Sequence, residues 1–330
     1  MVYFFVTAGF LYLIFRKLDF QNLASSLEEI RFIYIIPSIF IYLASFSLRA
    51  FKWKVILINL KSIRSASLLK YILIGCSGNA LLPARMGEIL RAFVAGKEES
   101  VSSIFFFSTI LIERFLEILS LMILFSISVT WLSMIVMYKT ALIVLLACVL
   151  VSIFLVLTFW KGDRMIRLVS KFIPGEKQAK RLTEYFHKFV DGIRIIRSPV
   201  NLFFVILIGL GVYLIEGLAY WGIAKGFNIE VSLMQVCFLL SFIFIGLIIP
   251  STFGNVGPLQ YFCILGLSFF GINENRSFVY AVFLNLLMYI PAIIGLVYFY
   301  KFGISIKGLK AKIKMDALPN KQLQSQEETL

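Results

Sequence analysis

Charge enters this chain in short bursts between long uncharged stretches, and the lengths of those stretches set the expected fold. The uncharged runs are Met1–Phe15, Phe32–Leu48, Tyr71–Ala84, Val101–Ile112 continuing after three charges as Ile118–Met137, Thr140–Trp160, Asn201–Ile215, Val231–Asn273 and Ser277–Tyr300. A helix needs about 20 apolar residues to cross a ~30 Å hydrocarbon layer. Runs of this size predict an all-α integral membrane protein, and about six to eight membrane segments would nearly exhaust the chain. Pro37 and Pro291 fall inside two of the runs as kinks that a helix in lipid tolerates.

Two Pro-x-x-x-Gly breaks interrupt the pattern, Pro83 to Gly87 and Pro250 to Gly254, and the two prolines are 167 residues apart. Sliding the chain by that offset brings Phe32–Leu48 onto the run starting near Asn201, and Glu113–Met137 onto the run ending at Tyr300. The expected architecture is about six transmembrane helices plus two oppositely oriented re-entrant helical hairpins, related as an inverted repeat. Two unrelated Pro/Gly-kinked hairpins would produce the same breaks. The first repeat is expected over about 32–137 and the second over about 201–300, inside a single membrane domain spanning 1–314. Between them, Leu182, Tyr185, Phe186, Phe189, Val190 and Ile193 recur at helical spacing among charges. This predicts a basic surface helix on the cytoplasmic side over about 161–200. Residues 315–330, polar and rich in Gln and Glu, are expected to form a disordered cytoplasmic tail.

Composition changes this picture little. Of 330 residues, 60% are hydrophobic and only 15% charged, far from soluble averages. The net charge of +14 has a plain source in the positive-inside bias rather than in nucleic acid. Lys and Arg cluster three times: six in Arg49–Lys70 with no acid, ten in Lys161–Arg197 against four acids, and six in Lys301–Lys321 against one. All three are expected on the cytoplasmic side. The scheme places both termini in the cytoplasm, Ser26 and Asn275 outside and Lys177 inside. Met1–Phe15 has no basic leader and no small-residue cleavage site, so it predicts a retained first span. Cys76, Cys148, Cys237 and Cys263 all lie in apolar runs without a C-x-x-C pair, which predicts small core residues. The single histidine, His187, falls on the surface segment. No metal-spaced set, no nucleophile elbow and no phosphate-loop motif is present, so no cofactor and no conventional enzyme is expected.

Ionisable groups at membrane depth are costly and therefore mark candidate sites. Arg85, Glu88 and Arg91 are spaced i, i+3, i+6 after the first break. If a helix begins near Gly87, its free N–H groups and the arginines suit a phosphate; a self-satisfied charge cluster at the interface is the alternative. Glu113, Arg114 and Glu117 interrupt a long apolar helix. Arg114 can pair with Glu117 at i+3, and the carboxylates with Arg85 or Arg91, either in the site or as a brace between helices. Glu216 stands alone in an apolar run, as a proton or cation handle or as the partner of an unseen arginine. Gly254, Asn255 and Gly257 at the second break allow close backbone approach to a ligand or a turn of positive φ. Asn79, beside Pro83, is a polar contact to a ligand or to a neighbouring helix.

The run Asn79-Ala80-Leu81-Leu82-Pro83-Ala84-Arg85-Met86-Gly87-Glu88-Ile89-Leu90-Arg91, followed by Glu113-Arg114-Phe115-Leu116-Glu117 and by Pro250-Ser251-Thr252-Phe253-Gly254-Asn255-Val256-Gly257, resembles the flippase-like transmembrane family. That family includes the membrane half of lysylphosphatidylglycerol synthases and relatives labelled dolichol-phosphate glucose synthetase-like. Leu48-Arg49-Ala50-Phe51-Lys52-Trp53-Lys54 is similar to the basic-aromatic segment that precedes the family's first hairpin. Three departures stand out: Ser251-Thr252-Phe253 after Pro250, Gln260 where an acid is usual, and Glu117 in place of Asp. The resemblance implies a lipid flippase or translocator in the cell membrane, acting on an anionic or aminoacylated phospholipid or a polyprenyl-phosphate lipid. Arg85, Glu88, Arg91 and Arg114 would then hold the lipid phosphate. Asn79, Pro83, Gly87, Glu113, Glu117, Glu216, Pro250, Gly254, Asn255 and Gly257 would support them. The alternative is a non-transporting partner that presents lipid to a separate synthase or glycosyltransferase.

Overall fold

The computed structural model describes residues 30–58, 61–82, 86–134, 198–247 and 253–301, together with Gly9, Phe10, Tyr12 and Ile14 near the start. Arg85, Pro83 and Pro250 lie outside the described residues. So do most of the first predicted span, the run Thr140–Trp160, the basic surface segment and the tail.

Eight α-helices and no strand occur among the described residues. In chain order they are α1 (Phe32–Leu57), α2 (Ser65–Leu81), α3 (Gly87–Glu98), α4 (Ser103–Trp131), α5 (Pro199–Gly226), α6 (Leu233–Gly246), α7 (Pro258–Ser268) and α8 (Glu274–Lys301). The helix α1 (Phe32–Leu57), the stretch Val200–Gly226 of α5, and α8 (Glu274–Lys301) are long and apolar enough to cross a membrane. Helix α4 is as long, at 29 residues, but carries Glu113, Arg114 and Glu117. The remaining helices are short. At 1.5 Å per residue the 12 residues of α3 and the 11 of α7 each reach less than about 20 Å.

Local chemistry sets the boundaries. Pro199 opens α5 behind Ser198, whose hydroxyl accepts from the Asn201 N–H at 3.3 Å. Ser232 and Gln235 form a reciprocal cap at the start of α6, with Gln235 Oε1 accepting from the Ser232 N–H at 2.7 Å. Pro258 opens α7, and the Gly257 N–H just before it donates to Gln260 Oε1 at 2.7 Å. Gln260 thus serves as an internal cap of α7.

Helices α1 and α5 pack antiparallel. Ile35 meets Gly226, Ser38 meets Gly222, and Ser45 reaches Glu216, so numbering rises on one helix as it falls on the other. Helix α2 packs on α8, where the Ser77 hydroxyl donates to the Ala292 carbonyl at 2.6 Å. Helix α4 packs on α6, with Phe125 stacked on Phe238 at 5.5 Å. The interior is aromatic: Trp53, Tyr71, Tyr220, Tyr280 and Phe238 are all fully buried. Outward, Ile33, Phe40, Phe203 and Ile293 are each more than 60% exposed. An apolar exterior of this extent would be insoluble in water and is the surface expected against lipid tails.

Candidate functional site

The helix predicted from about Gly87 begins at that residue. Its backbone lies so close to α2 that a Cβ at Gly87 would stand 2.0 Å from the Gly75 carbonyl oxygen, which only glycine permits. Asn79 fixes the junction by accepting from the Gly87 N–H through Oδ1 at 2.9 Å. It thereby clasps α3 to α2, and its Nδ2 stands 3.5 Å from Glu88. At the second break, which packs against α2, Gly254 and Asn255 adopt φ of 67° and 60°, and Gly257 a φ of 95°. These are the left-handed conformations that a tight turn demands. The Gly254 carbonyl accepts from Asn285 Nδ2 at 2.8 Å.

Between these two breaks the charged residues form one connected chain of seven ion pairs, four cations against four carboxylates. Glu117 is its centre. Its Oε1 takes Arg49 Nη1 at 3.0 Å and Lys52 Nζ at 2.5 Å, while Oε2 takes Arg114 Nη1 at 2.6 Å. From Arg49 the chain continues to Glu216, with Nη2 2.7 Å and Nε 3.1 Å from Oε1, which also accepts from the Ser45 hydroxyl at 3.0 Å. From Lys52 it passes to Glu113 at 3.5 Å and on to Arg91, whose Nη2 is 2.8 Å from Glu113 Oε2. From Arg114 it ends at Glu88, 3.0 Å away.

Burial divides this chain into two parts. Lys52, Arg91 and Glu113 are each at most 2% exposed. The Arg91 guanidinium lies 3.7 Å from the Trp53 ring centroid, a stacked cation–π contact. Trp53 is itself held by its indole N–H on Thr109 at 3.1 Å. Arg91, a phosphate candidate from spacing, is thus sealed beneath an indole. Arg49, Glu88, Arg114 and Glu117 instead line a cavity of about 370 Å³. Its wall also includes Asn79 from the first break, Gly254 and Asn255 from the second, and the rings of Tyr42, Phe46, Tyr213, Phe244 and Tyr289. Arg114 is the most open cation of the chain, its side chain 39% exposed. The i+3 pairing of Arg114 with Glu117 and the arginine partner of Glu216 were both legible in spacing and isolation.

Arg49 and Lys52 were missed as members of the site. They belong to a basic cluster that composition assigns to the membrane surface, yet the structure draws both into the interior. A signal existed: Tyr42, Ser45, Arg49 and Lys52 recur at i, i+3, i+7, i+10, a polar stripe on one face of an otherwise apolar helix. Groups of three or more His, Cys, Asp or Glu able to hold a metal are absent among the described residues.

An all-helical bundle with an apolar exterior and an ion-paired cavity between broken helices defines a polytopic membrane protein. Residues 1–295 match the family described as the lysylphosphatidylglycerol synthase TM region, and the chain belongs to that family. Neither the curated proteins nor the solved structures return a match.

Proposed function

We propose that the chain is a lipid flippase or translocator of the cell membrane that holds a lipid phosphate in the cavity between its two broken segments. The observation carrying this reading is the cavity itself: about 370 Å³, inside an apolar bundle, with the Arg114 guanidinium on its wall. That volume lies within the ordinary range of about 300–1,000 Å³ for ligand sites. Arginine suits the task because its planar fork gives phosphate two parallel hydrogen bonds. The lipid would be an anionic or aminoacylated phospholipid or a polyprenyl phosphate. Arg85, from the first break, would join Arg114 at the phosphate, while Arg91 and Glu113 brace the site from behind. No enzymatic step is part of the proposal.

The finer architecture proposed is an inverted repeat of two re-entrant hairpins, α2–α3 and α6–α7, with both termini cytoplasmic. Helix starts support it: Phe32 and Pro199 are 167 residues apart, Ser65 and Leu233 168, and Gly87 and Pro258, like Ser103 and Glu274, 171. Packing supports it too, since the α2–α8 contact and the α4–α6 contact exchange under that offset, and the equivalent helices α1 and α5 run antiparallel. Opposed broken helices meeting at a site near the midplane are the architecture of alternating access.

The test is transport in reconstituted vesicles. Purified protein is expected to accelerate inter-leaflet exchange of a fluorescent phosphate-bearing lipid over protein-free vesicles. No acceleration with any anionic phospholipid, aminoacylated phospholipid or polyprenyl phosphate would remove the translocator reading. Lipid retained but not moved, with a transferase co-purifying, would establish the lipid-presenting alternative instead.

A further inference from the structure

Every cation on the cavity wall among the described residues is already matched to a carboxylate. Arg114 gives Nη1 to Glu117 and Nη2 to Glu88, and Arg49 is shared between Glu117 and Glu216. One donor is free: Arg114 Nε is buried and has no hydrogen-bond partner among the described residues. Nε and Nη2 form the side edge of a guanidinium, the edge that binds two oxyanion oxygens in parallel. A phosphate taking that edge would satisfy Nε, but it would have to draw Nη2 away from Glu88.

The displaced carboxylate decides which ligand is tolerated. Glu88 is only 17% exposed and has no second cation in the ion-pair chain. Asn79 Nδ2 stands at 3.5 Å, too long to replace an ion pair. A headgroup with negative charge alone would leave the part-buried Glu88 without an ion-pair partner among the described residues, which is costly. A headgroup that brings its own ammonium would exchange one ion pair for two. Because Arg114 and Glu88 are in direct contact at 3.0 Å, the two ligand charges must themselves be neighbours, joined by a short spacer. The ammonium must also donate hydrogen bonds to the carboxylate, which a quaternary nitrogen cannot do.

We propose that the cavity selects a compact zwitterionic headgroup, a phosphodiester joined to a primary ammonium through a short spacer, with the phosphate on Arg114 and the ammonium on Glu88. This rests on the lipid-translocator reading and narrows its substrate class.

The experiment uses the full chain in vesicles with three fluorescent lipids that share acyl chains and differ in headgroup: phosphoethanolamine, phosphoglycerol and phosphocholine. Exchange of the phosphoethanolamine lipid is expected to exceed the other two by about tenfold, equivalent to about 1.4 kcal/mol. Glu88→Gln is expected to erase that advantage, bringing the phosphoethanolamine-to-phosphoglycerol exchange ratio toward one. Equal or faster movement of the phosphoglycerol or phosphocholine lipid would overturn the proposal, as would an unchanged ratio in Glu88→Gln. If none of the three moves, the translocator reading itself fails for them, and mass spectrometry of co-purified lipid decides the headgroup. Enrichment of phosphoethanolamine lipid above its membrane share supports the site; its absence refutes it. Uptake of soluble glycerophosphoethanolamine into the vesicles would assign the cavity to the free headgroup and overturn the lipid assignment.

Discussion

Arg49 Nη2 stands 2.7 Å from Glu216 Oε1, joining α1 to α5 through residues 167 positions apart, the same separation as Pro83 and Pro250. Under the proposed repeat, the two residues are each other's equivalents. Equivalent positions on antiparallel helices can touch only where the helices cross the local two-fold, so this pair marks its position.

Removing one partner of this pair should be more harmful than removing both. Arg49→Leu leaves Glu216, 1% exposed, with only the Ser45 hydroxyl on Oε1, at a cost of about 3–5 kcal/mol. The double variant Arg49→Leu with Glu216→Leu should recover most of that loss. Thermal unfolding of the purified variants in detergent checks this, and a double variant no more stable than the single would refute it.

Arg114→Lys should reduce lipid exchange by about tenfold or more while leaving the fold intact, because an ammonium provides charge without the two-pronged edge. Arg91→Lys should behave oppositely, lowering stability by about 1–2 kcal/mol through loss of the stacked guanidinium on Trp53 while sparing exchange in the surviving protein. Arg85→Lys is expected to follow Arg114→Lys. Exchange rates at matched protein density, set beside melting temperatures, separate the two behaviours.

Gly254→Ala should be disruptive beyond its size. The residue sits at φ 67°, and a Cβ there would approach Tyr289 Oη to 1.8 Å. The left-handed backbone alone costs about 1–2 kcal/mol. Adding Tyr289→Ala should relieve the contact but not the backbone cost, giving partial recovery of the melting temperature. Full recovery, or none, would contradict this account.

The proposed topology places the α3–α4 turn on the cytoplasmic side and the α7–α8 turn outside. Asn275, the position suggested by sequence, is only 8% exposed, so the exposed neighbour Asn273 is the better probe. Ser100→Cys should react with a membrane-impermeant maleimide only in inverted or opened vesicles, and Asn273→Cys from outside intact cells. Labelling of both from one side would end the inverted-repeat scheme.

Much of the architecture was legible because the bilayer imposes simple lengths. Uncharged runs located the helices, and Pro-x-x-x-Gly located both breaks, down to the start of α3 at Gly87. The ion-pair chain was legible where charge interrupts an otherwise apolar run, as with Glu113, Arg114, Glu117 and Glu216. It was not legible where charge occurred among like charges. Arg49 stands three residues before Lys52 and Lys52 two before Lys54, and composition cannot distinguish a lysine at the membrane surface from one folded back onto Glu117. Nor could spacing reveal that Trp53 covers Arg91, since residues 38 positions apart in sequence meet only through the packing of α1 and α3.

Regarded as a graph, the ion-pair chain branches at one vertex, Glu117. Neutralising it leaves three fragments: Arg49 with Glu216, Arg114 with Glu88, and Lys52 with Glu113 and Arg91. The first two fragments balance. The third carries the unmatched positive charge, and it is the one sealed beneath Trp53, away from the cavity. An isosteric Glu117→Gln lesion should therefore be felt chiefly as a weakened interior, with the Arg114–Glu88 contact still intact at the cavity.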